Sequence, residues 1–291
     1  MRRLLIPAFA LAAAVVAPAA ARAQAKPYFV TYDHHLEEPG NLELGFFNTV
    51  GLPRAGQTTY WAPLSEFEYG VTGWWTSEFY LEGQTRGGDS TIFTGWRLEN
   101  RFRPLAREHA INPVLYIEYE NVNEGSLVQK EIVGHAPELD EPNSHLREEK
   151  ERELELKLIL SSTVRDWNIS ENFIVEKNLV EDRGFEFGYA FGISRPLSRL
   201  ASARECRLCR ENFFAGAELY GGLGSTDEFG FRETSHYLAP VLAWKVSDNA
   251  LIKFSPAIGL NRHSAPVLLR FGYTYEIHGF SRKVAALFGR E

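Results

Sequence analysis

The chain has 291 residues, a formal net charge of −7 at pH 7, and 44% hydrophobic residues. This acidic balance argues against a nucleic-acid partner, because phosphate binding requires clustered positive charge. After the amino-terminal segment, no uninterrupted apolar run approaches the ~20 residues that a spanning helix needs. A helical inner-membrane protein is therefore excluded.

The amino-terminal segment has the pattern of a cleaved secretory signal. Arg2 and Arg3 give a cationic start, residues 4–20 form an uncharged apolar run, and residues 21–23 are suited to a signal peptidase. Cleavage after Ala25 is an alternative. A retained membrane anchor is disfavoured because the run is short and rich in alanine.

Two-residue alternation of apolar and polar side chains recurs through the rest of the chain. Because successive side chains of a strand point to opposite faces, this pattern predicts two-sided β-structure. In the clearest segment, Ile92, Thr94, Trp96, Leu98 and Phe102 share one face, opposite Arg97, Glu99, Arg101 and Arg103. In chain order the pattern predicts about twelve strands, near 41–50, 64–71, 75–84, 91–103, 115–120, 153–160, 169–179, 185–193, 213–223, 237–246, 250–261 and 267–277.

Short turn signals such as Arg86-Gly87-Gly88-Asp89 and Ser247-Asp248-Asn249 separate these strands, so we expect an up-and-down meander. Residues 146–153 are predicted to be either a charged helical turn or a solvated loop. If the chain starts in the periplasm, the acidic stretch 124–152 lies outside the cell and the connection 198–212 lies on the periplasmic side.

The polar faces carry many charges of both signs, and the tryptophans lie mostly near strand ends, as in aromatic girdles. With the secretion signal, these features favour a membrane barrel over a soluble β-sandwich. We predict an all-β protein, an antiparallel up-and-down transmembrane β-barrel of about 12 strands, located in the bacterial outer membrane with lipid as a partner. Its predicted parts are a signal peptide (1–23), a periplasmic segment leading into the barrel (24–40), the barrel (41–280), and a tail that is a short helix or frayed (281–291).

In such a barrel the charged faces line the interior, and these residues form the predicted functional site. They are Glu66, Glu68, Glu78, Glu82, Arg97, Glu99, Arg101, Arg103, Glu118, Glu120, Glu155, Lys157, Arg270 and Glu276. Twelve strands lie between the filled eight-stranded and the open sixteen-stranded barrel. The interior is then either a conducting or gated pore for small solutes, favouring cations if carboxylates are in excess, or a plugging network of ion pairs.

The sequence resembles a known group of proteins in two segments, Glu68-Tyr69-Gly70-Val71-Thr72-Gly73-Trp74 and the strand from Leu269 to Glu276. These are similar to the outer-membrane proteins grouped with the "MetA-pathway of phenol degradation" barrels. The resemblance spans most of the chain after the signal, through generic strand and turn motifs. It implies a channel for small or hydrophobic compounds and brings no catalytic residues with it.

The alternatives to a channel are a non-conducting structural or adhesion barrel and an outer-membrane hydrolase. A hydrolase needs a hydroxyl beside an oriented base, and the residue types occur together twice. These groups are Asn261, His263 and Ser264, and Asn143, Ser144 and His145. Neither lies on a recognisable catalytic signature, so we predict no enzyme activity and no cofactor.

Two kinds of side chain remain as candidates for other chemistry. Cys206 and Cys209 form a C-x-x-C pair, which in an exported protein favours a local disulfide over half a metal site or a redox pair. The metal-binding candidates are His34, His35, His135 and His145, each near carboxylates. Because neighbours on an extended chain point apart, we expect only one of His34 and His35 to join any one site.

Overall fold

The computed structural model describes residues 26–52, 54, 56–127, 133–136, 141–181, 183–198, 200 and 206–289. The predicted signal peptide lies outside these residues. Twelve antiparallel strands form a closed barrel in which each strand pairs with its neighbours in sequence and β1 pairs with β12. The strands are β1 (Leu42–Leu52), β2 (Tyr60–Thr72), β3 (Trp75–Arg86), β4 (Thr91–Phe102), β5 (Asn112–Asn123), β6 (Lys150–Val164), β7 (Trp167–Asn178), β8 (Phe185–Pro196), β9 (Phe213–Ser225), β10 (His236–Lys245), β11 (Ala250–Gly259) and β12 (Val267–Ile277).

The described helices are short. Helix α1 spans Asn143–Leu146, helix α2 spans Phe280–Leu287, and a 3-10 turn covers Arg210–Asn212. No helix within the described residues is both long enough and apolar enough to cross a bilayer. Half of the segment 146–153 belongs to β6, which begins at Lys150, and the tail forms α2.

The side chains of the barrel wall have the reverse of the burial pattern of a soluble protein, with apolar residues outside and charged residues inside. Large apolar side chains such as Phe173 and Phe271 are exposed on the outside, whereas Glu99, Glu118 and Glu155 are each 0% exposed on the inside. An apolar outer belt around a charged interior is the pattern of membrane barrels. The predicted fold class is confirmed, including the choice of a barrel over a sandwich.

The sequence pattern of β4 predicts the wrong face for the residues at the start of the strand. Ile92 and Thr94 are buried and point inward, while Phe93 between them is 62% exposed on the outside. The cause is a β-bulge at Thr94 and Gly95 of β4, where Gly95 has φ +152° and the pairing with β3 shifts between Glu82 and Gly83. A bulge adds one residue and reverses the alternation beyond it.

The wall has an interrupted seam between β10 and β11. The strand pairing stops after Leu238↔Ile258 and resumes at Leu242↔Phe254. In the gap, the register places Pro240 opposite Pro256. Proline has no backbone N–H, so two facing prolines cannot exchange the usual pair of hydrogen bonds. The seam therefore lacks ladder bonds over about 13 Å of strand.

Restoring the missing donors should strengthen this seam. We expect the double variant Pro240→Val, Pro256→Val to raise the free energy of unfolding by about 1 kcal/mol, since unpaired carbonyls are costly at membrane depth. Urea unfolding in lipid vesicles measures this. Pro113→Val in β5 is the control, because Pro113 lies opposite Leu160 and not opposite another proline, while the unfolded-chain entropy changes in the same way. A double variant no more stable than this control would contradict the interpretation.

Candidate functional site

The segment from Lys26 to Asn41, called the plug below, lies inside the barrel. Its backbone is held by one carboxylate of β9, because the N–H groups of Val30 and Thr31 donate to Glu218 Oε1 at 2.8 and 2.7 Å. The N–H of Phe29 donates to Glu218 Oε2 at 3.1 Å. One buried side chain thus accepts three consecutive backbone donors of the plug.

Other plug residues reach the opposite walls. The Tyr32 hydroxyl donates to Glu99 of β4 at 2.9 Å, and the Tyr32 N–H donates to Asn172 of β7 at 2.6 Å. His34 Nδ1 lies 2.8 Å from the hydroxyl of Ser161 on β6. Residues 26–40, expected to be a periplasmic segment leading into the barrel, therefore cross the lumen and contact inward-facing side chains.

The amino-terminal end of the plug carries a positive charge into a group of carboxylates. Lys26 Nζ is 2.5 Å from Glu68 and 3.6 Å from Glu37. Glu68 belongs to a group with Glu43 and Glu66 whose carboxylate oxygens lie within 4.8 Å of one another. This group, on β1 and β2, has a lysine of the plug as its partner.

A layer of buried ion pairs lines the inner wall of the barrel from β2 to β5. Arg97 bonds to Glu82 and, at 3.2 Å, to Glu118. Arg101 bonds to Glu78, to Glu68 at 2.7 Å and to Glu99 at 2.9 Å. Opposite charges on neighbouring strands thus neutralise each other in a space with little room for water.

Almost all of the predicted lumen residues are placed on the interior face. The inward-facing ones are Glu66, Glu68, Glu78, Glu82, Arg97, Glu99, Arg101, Glu118, Glu120, Glu155, Lys157, Arg270 and Glu276. Arg103 lies one residue beyond the end of β4, where its guanidinium donates to the carbonyl of Gly73 at 3.1 Å in the neighbouring turn.

Sequence reasoning missed the two residues that bear most directly on the plug. Glu43 fits the alternation of β1 but was left out of the site, and Glu218 is a single carboxylate in a strand of small and aromatic residues. A lone charged residue on the inner face of such a strand is a signal that something polar packs against it. The sequence of the plug has neither strand nor helix periodicity, so no pattern in it predicted a position inside the barrel.

The described residues enclose a small and a larger cavity in the lumen. A small one of about 100 Å³ lies between the plug and the wall, lined in part by Phe29, Phe47 and Lys253. A larger one of about 390 Å³, called the acidic chamber below, lies above the ion-pair layer. Its charged lining consists of Glu120, Glu124, Glu141, Glu151, Glu153, Glu176, Glu186 and Arg183, with His135.

The histidine candidates do not come together as a metal site. The rings of His34 and His35 lie 4.1 Å apart, so the expectation that they point apart is wrong, because the plug backbone is not extended there. His145 is exposed and 3.4 Å from Glu141. The groups of three close ligands found among the described residues contain only glutamates.

Asp33 lies beside His35, and each residue shifts the pKa of the other. Asp33 Oδ1 is 3.1 Å from His35 Nδ1. Burial opposes ionisation of both groups, but their proximity prevails. The pKa of Asp33 falls to about 2, and that of His35 is raised.

Cys206 and Cys209 are joined by a disulfide next to the 3-10 turn, and the carbonyl of Arg207 between them accepts a hydrogen bond from Trp244. The bond closes a tight loop at the strand end.

Neither hydrolase arrangement is formed. The Ser264 hydroxyl bonds to Asn261 Oδ1 and to the His236 carbonyl, both at 2.9 Å, while the His263 ring contacts Arg262. Asn143 bonds to Gln84 and Ser90. Among the described residues, neither Ser264 nor Ser144 has the hydrogen bond to an imidazole that nucleophilic activation requires.

The chain is similar to known proteins in structure and not in sequence. No protein-family model and no curated sequence matches the chain. The COG4313 outer membrane channel from Pseudomonas putida F1 aligns with a TM-score of 0.55 and 8% identity, over 87% of this chain and 100% of that one. The NanC porin aligns with a TM-score of 0.52 and 8% identity, over 81% of this chain and 100% of that one. The chain thus has the fold of outer-membrane β-barrels.

Proposed function

We propose that this protein is an outer-membrane channel for small solutes, gated by the plug. The observation that carries the proposal is that a separate segment, and not the wall alone, fills the lumen. A twelve-stranded wall is wider than the eight-stranded wall that its own side chains fill, so the plug occupies space through which solutes could pass. The plug is attached by polar contacts, which water can replace when it moves.

The charges of the lumen favour cations. Around the acidic chamber, the glutamates greatly outnumber the single arginine. Fixed carboxylates raise the local concentration of cations and exclude anions. The aromatic rings of Phe29 and Phe47 beside the smaller cavity, together with the resemblance to the MetA-pathway barrels, support small hydrophobic compounds as additional solutes.

Planar-bilayer recording of the refolded protein tests this function. We expect discrete conductance steps and, under a KCl gradient, a reversal potential of the sign that K⁺ permeation gives. The absence of steps at any voltage would favour the non-conducting structural barrel. A reversal potential of the opposite sign would contradict the cation preference.

A further inference from the structure

A second group of carboxylates in the lumen differs from the one that Lys26 occupies. Glu118 and Glu120 of β5 and Glu155 of β6 place carboxylate oxygens within 4.8 Å of one another. All three are buried, and Glu120 is 3% exposed. Three carboxylates this close repel one another strongly unless cations lie between them.

Protein cations satisfy only two members of this group. Arg97 bonds to Glu118 at 3.2 Å, and Lys157 lies 2.7 Å from Glu155. Glu120 Oε1 is buried and has no hydrogen-bond partner among the described residues. A buried carboxylate oxygen without a donor is costly, so this atom is suited to an external cation.

Glu120 is also the member of the group that a solute can reach. It lines the acidic chamber, whereas Glu118 and Glu155 are not among the lining residues. Further glutamates of the chamber, among them Glu153 and Glu176, stand on the adjoining strands. An unsatisfied ligand therefore faces a chamber that attracts cations.

From this arrangement we propose that Glu120, with Glu118 and Glu155, forms a binding site for a hard divalent cation of the Ca²⁺ class at the floor of the acidic chamber. Ca²⁺ takes carboxylate oxygens at about 2.3–2.6 Å, so two of its ligands can be up to about 5 Å apart, which accommodates the spacing seen here. Mg²⁺ demands near-ideal octahedral geometry and gives up water reluctantly, so a buried site made of three carboxylates suits it less well. The site rests on the proposed function only in that the chamber is taken as part of the conduction path.

The test is calorimetric titration of the refolded full-length protein in detergent with CaCl₂, and separately with MgCl₂. We expect saturable Ca²⁺ binding, weaker Mg²⁺ binding, and a loss of roughly tenfold or more in Ca²⁺ affinity in Glu120→Gln. Glu171→Gln, on the outward side of β7, is the matched control and should bind as the wild type does.

No Ca²⁺ binding by the wild type, or equal binding by wild type and Glu120→Gln, would overturn the site. Thermal unfolding with and without Ca²⁺ serves as a second readout, because a ligand of the native state must raise the midpoint. If Glu120→Gln fails to fold, Glu120→Asp keeps the charge, withdraws the carboxylate, and is expected to bind Ca²⁺ more weakly. Ca²⁺ binding without conductance in bilayers would contradict the proposed channel and leave the cation site standing. Conductance without Ca²⁺ binding would contradict the cation site and leave the channel standing.

Discussion

Replacing Glu218 by glutamine is expected to release the plug and raise the open probability of the channel by about tenfold or more. The carboxylate accepts hydrogen bonds from three consecutive N–H groups, of Phe29, Val30 and Thr31. A hydrogen bond to a charged group contributes about 1.5–3 kcal/mol, and glutamine offers one acceptor oxygen and an amide that opposes the donors. Single-channel recording at fixed voltage measures the change.

The control for this prediction is Glu171→Gln, which makes the same chemical change on the outward face of β7. Its open probability should match the wild type. If Glu218→Gln gates as the wild type does while remaining folded, the plug does not control passage.

Replacing Arg97 by methionine is expected to lower the free energy of unfolding by about 3–5 kcal/mol. Arg97 is 1% exposed and bonds to both Glu82 and Glu118, so its removal leaves two buried carboxylates without their cation. The long apolar side chain of methionine keeps most of the packing, so the loss reports the charge. Urea unfolding in lipid vesicles gives the value.

Arg152→Met is the matched control, because Arg152 lies at the exposed end of β6. We expect a change within about 0.5 kcal/mol there. Equal losses in the two variants would show that the buried ion-pair layer contributes no special stability.

The strand pattern predicted the fold because the barrel depends on a property that is local in sequence. A residue's face follows from its position in the alternation, so Glu99 and Arg101 could be assigned to the interior from neighbours alone. The assignment failed at Ile92 and Thr94, since one bulged residue at Gly95 reverses every face beyond it. Arg103 lies one residue beyond the end of β4 at Phe102, so the strand by itself does not assign its face.

The plug could not be predicted in the same way, because its position depends on contacts far apart in sequence. Thr31 and Glu218 are separated by 187 residues, and nothing in the plug's own sequence repeats with a strand or helix period. The alternation predicted that carboxylates and bases line the interior and left open which of the two is in excess. The structure was needed to show that Lys26 of the plug pairs with Glu68. It was also needed to show that Glu120 has a buried oxygen without a hydrogen-bond partner among the described residues, the atom that we propose binds an external cation.

The most direct test of the central claim, that solutes pass through this plugged and charged lumen, is thiol modification of single-cysteine positions during bilayer recording. Thr49 lines the cavity beside the plug, and its neighbour Val50 points outward on the same strand. A small cationic thiol reagent should lower the conductance of Thr49→Cys and leave that of Val50→Cys unchanged. No effect at Thr49→Cys, or equal effects at both positions, would contradict conduction through this lumen.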